Sequence, residues 1–97
     1  MIFMCIMDYA DKNEIKRVRP KHQAYLEGLV DAGKCISAGS FLPNDDGGLF
    51  LYEAGSLEEA QRLVDDDPYL HEGVILRHQL REYEVHAVNS ALLRTTG

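Results

Sequence analysis

The sequence is short of cysteine, of basic residues and of long apolar runs, and each shortage excludes something. Its two cysteines, Cys5 and Cys35, stand thirty residues apart. That spacing makes neither a disulfide framework nor a C-x-x-C metal or redox motif, so both are expected as reduced core thiols. Ten Lys plus Arg face sixteen Asp plus Glu, a net charge of -6. Nucleic-acid binding draws most of its affinity from neutralising phosphates, so this balance argues against it. No apolar stretch approaches the ~20 residues of a membrane span. The opening run Ile2-Phe3-Met4-Cys5-Ile6-Met7 lacks a basic segment before it and a small-residue cleavage site after it, so it does not read as a signal peptide. A cytoplasmic protein is expected.

What is present describes an ordinary globular chain. Its 97 residues are 45% hydrophobic and 27% charged, with no internal repeat and no linker, which fits one domain over 1–97 with a small, polar tail at 87–97. Acid concentrates in the second half: residues 49–97 carry four bases and nine acids, against six and seven in residues 1–48. Five of the early bases (Lys12, Lys16, Arg17, Arg19, Lys21) sit together with only Glu14 among them. They read either as a solvated helix face or as a positive rim that draws a small anion to a cleft.

The apolar pattern divides the chain into alternating elements. Ile2–Met7 is uniformly apolar and short, as a strand buried on both faces should be. Asp11-Lys12-Asn13-Glu14 resembles a capping box and opens a loose helical turn, which Pro20 is expected to interrupt because proline cannot donate the helical hydrogen bond. The main helix is expected from Pro20 to Ala32, ended by Gly33. Lys34–Leu42 reads as a second strand, Pro43–Gly48 as a turn, and Leu49–Ala54 as a third, mostly apolar strand. Ser56-Leu57-Glu58-Glu59 caps a second helix, which must stop before Pro68. The last strand is expected over Gly73–His86, with Leu76, His78 and Leu80 on its apolar side and a bulge or strand exit near Glu82.

The order β-α-β-β-α-β is the split βαβ pattern of ferredoxin-like α+β folds. Right-handed crossovers then place the first and third strands at the centre of a four-stranded antiparallel sheet, with both helices on one face. Those central strands offer apolar residues to both faces, and an exposed apolar sheet face is rare on a monomer. A two-fold homodimer, or a higher oligomer, sharing the open face is the expected partner arrangement.

Two residues stand out chemically. On a helix advancing 100° per residue, His22 shares a stripe with Val18, Leu26, Tyr25 and Leu29, so it points toward the sheet. Near the start of the helix expected from Pro20, it would be favoured as a neutral imidazole. Asp67 closes the run Asp65-Asp66-Asp67, where acid opposes the helix dipole, but Pro68 holds its backbone extended and turns it off the helix axis. A carboxylate accepting from one nitrogen of His22 would orient the ring and leave the other nitrogen as a base. A hydrogen-bonded core histidine and a solvated acidic helix end are the plainer alternatives. His71, His78 and His86 match no common zinc spacing, so no metal site is expected. Ser40 has no G-x-S-x-G context, and Gly47-Gly48 precedes no helix, so neither a serine nucleophile nor a phosphate loop is indicated.

The runs Arg19-Pro20-Lys21-His22, Ala38-Gly39, Ser56-Leu57-Glu58-Glu59-Ala60 and Asp66-Asp67-Pro68-Tyr69, in this order over nearly the whole chain, resemble the YCII-like family. The resemblance implies a dimeric α/β-barrel protein of ferredoxin-like type. It also implies a His–Asp active-site pair at His22 and Asp67, with Arg19, Ser40 and Tyr69 contacting a small-molecule substrate and no cofactor. Some relatives act on hydroxylated or chlorinated rings, one as a dehydrochlorinase. Ser40 replaces a proline frequent after Gly39, and Glu82 another in the last strand, so a particular substrate does not follow. Three functions are compatible with these residues: a cofactor-independent acid/base enzyme for elimination or isomerisation of a small cyclic or hydroxylated compound, a non-catalytic ligand-binding or regulatory module, and an accessory domain acting through its dimer surface. An imidazole nitrogen open to a pocket favours the first. A pair sealed under Tyr25 and Tyr69 favours a structural role.

Overall fold

The computed structural model describes residues 1–96. Strand β1 (Ile2–Tyr9) leads into helix α1 (Lys12–Asp31), followed by β2 (Cys35–Ser40) and β3 (Gly47–Glu53). Helices α2 (Leu57–Asp65) and α3 (Pro68–His71) precede β4 (Ile75–Tyr83), and a 3-10 turn follows at Ser90–Leu92. The sheet is four-stranded in the order β2-β3-β1-β4, with every pairing antiparallel. The two most continuously apolar strands, β1 and β3, occupy its centre. This is the ferredoxin-like arrangement that the element order implies.

Strand periodicity separates two faces. Phe3, Cys5 and Met7 of β1 and Phe50 and Tyr52 of β3 are buried under the helices. Ile15, Val18 and Leu26 of α1, Ala60, Leu63 and Val64 of α2 and Tyr69 of α3 complete that core. Ile2, Met4 and Ile6 alternate with the first set and lie half-buried on the opposite face. Cys5 and Cys35 are buried free thiols on strands separated by β3. Burial, and secondarily the Asp67 carboxylate, pushes the Cys5 thiol up to about 12.

Four sequence expectations are corrected by the structure. Pro20 does not interrupt α1, which runs unbroken from an Asp11 cap accepting from the Asn13 and Glu14 amides. The proline forfeits one backbone hydrogen bond, but Ile15 and Val18 before it and His22 and Leu26 after it form one buried stripe that only a continuous helix can place on the sheet. His22 therefore lies inside a long helix, and the positive helix end does not act on it. Residues Pro68–His71 form a short helix rather than a plain connection, and Asp67 is its cap.

The remaining two concern the strands. β4 runs only from Ile75 to Tyr83, and its bulge lies at the other end, where Arg77 pairs with Asp8 but Ile75 with Tyr9. The bulge turns Ile75 inward against the core and leaves Leu76 exposed. His78, expected on an apolar side, is exposed at this edge. The other difference is that β1 extends to Tyr9 and β3 begins at Gly47, so the turn glycines are part of the sheet. A Cβ on Gly47 would lie 2.4 Å from the Met7 carbonyl oxygen, and one on Gly48 2.6 Å from that of Gly39. Close strand approach, more than turn geometry, requires glycine at both positions.

Candidate active site

The buried stripe of α1 carries His22 down toward β3, where its ring meets Phe50 edge-on at 5.5 Å. Asp67 reaches the same place from the other side of the core. Helix α2 ends at its Asp66 cap, and the residue before Pro68 is extended, φ -65° and ψ 131°, as proline demands of its predecessor. This geometry lets Asp67 Oδ1 accept from the Tyr69 amide at 2.9 Å and so cap α3. The acid thus stands at the favourable end of a helix, whereas the sequence suggested the unfavourable end of α2. Its backbone position makes it fully buried, and burial of a carboxylate requires partners.

His22 supplies the partner. Its Nδ1 lies 2.8 Å from Asp67 Oδ1 and 2.9 Å from Oδ2. Nδ1 faces only carboxylate oxygens, so it carries the hydrogen and donates it. In the neutral ring the lone pair is then on Nε2. His22 is only 5% exposed, yet Nε2 has no protein partner among the described residues and is not sealed from solvent. It faces a cavity of about 600 Å³ between α1 and the bare outer end of β2, whose wall includes His22, Leu26, Val30, Ile36, Ala38 and Phe50. That volume lies within the range of small-molecule sites.

The other expected site residues divide into two roles. Tyr69 stacks on His22 with ring centres 3.7 Å apart and planes 8° from parallel, and it is fully buried. Its hydroxyl accepts from Arg19 Nε at 3.1 Å. The other two nitrogens of Arg19 donate to Asp45 at 2.8 and 3.0 Å in a two-point pair. Arg19 and Tyr69 thus border the cavity but spend their polar groups on one another and on Asp45, fixing the plane of the imidazole. Ser40, by contrast, is an exposed residue of the cavity wall. Tyr25 covers nothing here: its hydroxyl donates to the Leu63 carbonyl at 2.6 Å.

Sequence reasoning missed Tyr9, Asp45 and the tail residues Leu93, Arg94 and Thr95. Tyr9 continues the inward alternation Phe3, Cys5, Met7, and would have been found by extending the first strand by one pleat. It lines the cavity, and burial followed by the nearby Tyr69 pushes its hydroxyl up to about 12 against the pull of Arg19. Asp45 was hidden in a run that read as turn chemistry, and it is also a turn residue, at φ 52°. Its signal was the early cluster of bases with only one acid among them. The Arg19 guanidinium beside it holds the Asp45 carboxyl below the usual carboxylate range.

His71, His78 and His86 are exposed and do not line this cavity. Among the described residues no three His, Cys, Asp or Glu side chains converge as metal ligands. No helix among them is long and apolar enough to cross a membrane.

Comparison with known proteins follows the same architecture. Among solved structures, the chain is similar to the 5-chloro-2-hydroxyhydroquinone dehydrochlorinase of Burkholderia phenoliruptrix AC1100 in complex with 2,5-dihydroxybenzoquinone. The TM-score is 0.76 at 22% identity, over 87% of this chain and 94% of that one. An antibiotic biosynthesis monooxygenase is similar at a TM-score of 0.59 and 12% identity, over 90% of this chain and 100% of that one. A dimeric ferredoxin-like protein from an uncultured marine organism matches at 0.52 and 13%, over 89% and 91%. At these identities the likeness shows the fold. No curated protein matches the sequence. The model of the YCII-related domain matches residues 1–84, and the chain belongs to that family.

Proposed function

We propose that this protein is a cofactor-independent acid/base enzyme acting on a small cyclic or hydroxylated compound by elimination or isomerisation. The observation that carries this reading is the divided imidazole of His22: Nδ1 is committed to the buried Asp67, and Nε2 is open to the cavity. In this role Nε2 accepts a proton from a carbon or hydroxyl of the substrate, and Asp67 meets the positive charge that the ring acquires. Such a base contributes a factor of about 10²–10⁴ in rate. Tyr69 and Phe50 keep the ring from rotating, so the lone pair stays aimed at the cavity. A similar fold holding a dihydroxybenzoquinone supports a ring-sized substrate.

The test is a panel of hydroxyquinols, chlorinated phenols and lactones assayed for turnover and for thermal stabilisation, with wild type and His22→Ala side by side. Turnover that disappears in His22→Ala is expected. Stabilisation by a ligand without any turnover across the panel would instead support a binding module.

The reading includes a cytoplasmic homodimer, consistent with two free buried thiols. Ile2, Met4 and Ile6, with Leu49 and Leu51 beside them in register, form an apolar band on the sheet face that no helix covers. A second copy would cover it by a two-fold axis. Sedimentation at micromolar concentration is expected to show a dimer, and a species of only 10.9 kDa would refute the arrangement.

A further inference from the structure

The chain does not end at its last strand. Beyond Tyr83 it continues past Val85 and Val88 to the 3-10 turn at Ser90–Leu92, which Asn89 caps by accepting from the Ala91 amide at 3.2 Å. None of this segment joins the core: Val85, Val88, Leu92 and Leu93 are 40–71% exposed. Yet the turn directs Leu93, Arg94 and Thr95 into the wall of the cavity that His22 faces, which Leu26, Glu27 and Val30 of α1 also line. A segment with so little buried surface is held weakly and can be displaced without unfolding anything else.

The charges around the cavity give that segment a purpose. The charge of Arg19 is matched by both oxygens of Asp45, and its Nε is taken by Tyr69. Asp67 is committed to His22, and Glu27 adds a further negative charge to the wall. Arg94 is the other cation lining the cavity, and among the described residues no carboxylate lies within ion-pair distance of it. A guanidinium on a short exposed segment at the rim presents a planar set of donors suited to a carboxylate or a phenolate.

We propose that Leu93–Thr95 is a strap of the ligand site and that Arg94 is its specificity-determining residue, selecting ring compounds that carry an anionic group. This rests on the reading of the cavity as the active site. In this arrangement Nε2 of His22 meets the reacting proton while Arg94 holds the anion from the strap. The leucine beside it covers the ring, and the strap orders when the anion is bound.

Hydroquinone and 2,5-dihydroxybenzoate, which differ by one carboxylate, are suitable probes. Each is titrated into the full chain and followed by amide nuclear magnetic resonance. The carboxylate-bearing probe is expected to bind about tenfold more tightly and to shift the amides of Leu93, Arg94 and Thr95. Arg94→Gln should lower its affinity to that of hydroquinone and leave hydroquinone unchanged, while Arg94→Lys keeps part of the preference. His22→Gln should weaken both probes alike and preserve their ratio. Equal binding by wild type, binding of neither probe, or a preference that survives in Arg94→Gln would overturn the proposal. Binding of both probes undiminished in His22→Gln would instead overturn the assignment of the active site.

Discussion

Replacing His22 by leucine is expected to destabilise the protein by about 3–5 kcal/mol, the scale for leaving a buried charge without its partner. The sequence alone suggests the opposite, because leucine suits the apolar stripe of α1 better than histidine does. The difference is Asp67. It has no exposure to water, and its partners are His22 Nδ1 and the Tyr69 amide. Removing the imidazole leaves one carboxylate oxygen with no donor and the other with a single backbone N–H, at the desolvation cost of an unpaired buried charge. Adding Asp67→Asn to His22→Leu should recover part of the loss, since a neutral amide demands less and still caps α3. A double-mutant cycle by urea unfolding measures this directly. If His22→Leu equals or exceeds wild type in stability, Asp67 is not held by His22 as described.

The second large effect concerns the sheet that supports the site. Gly47→Ala is expected to cost about 1–3 kcal/mol, the usual range for overpacking, and to do so through backbone. The added methyl would meet the Met7 carbonyl oxygen at 2.4 Å and the Phe41 ring at 3.3 Å. Relief requires β3 to move from β1, and with it the adjoining turn that carries Asp45. The Arg19–Asp45 pair and the Tyr69 hydroxyl bond should therefore loosen together. Gly28→Ala is the control, because a methyl there meets nothing within 4 Å and lies in the interior of α1. It should stabilise by about 0.5–1 kcal/mol. Gly47→Ala with wild-type stability would show that the strands are not so closely apposed.

Much of this was legible in the residues. Continuous apolarity singled out β1 and β3 as central strands, and helical spacing turned His22 inward. The restriction that Pro68 places on its neighbour brought Asp67 toward it. What was not legible depended on tertiary compensation. A proline reads as a helix break until one sees buried side chains on both sides of it forming a single stripe. Three acids before a proline read as the end of one helix, and only the folded chain shows that the third begins another. Asp45 looked like a turn former because it is one; its pairing with Arg19 spans 26 residues, and the excess of bases around Arg19 does not say which distant acid meets it. The tail residues at the cavity had no periodicity to mark them.

The central claim is that His22 Nε2 is an available base in a ligand cavity, and the imidazole nitrogens can be observed themselves. Long-range proton–nitrogen correlation spectra of the labelled protein, recorded with and without hydroquinone, resolve each ring nitrogen. The expected result is a protonated Nδ1 engaged with a carboxylate and an Nε2 resonance that moves and saturates with the ligand. The other three histidines should stay unmoved. A proton on Nε2 with Nδ1 bare, or an Nε2 indifferent to ligand while binding is seen elsewhere, would contradict it.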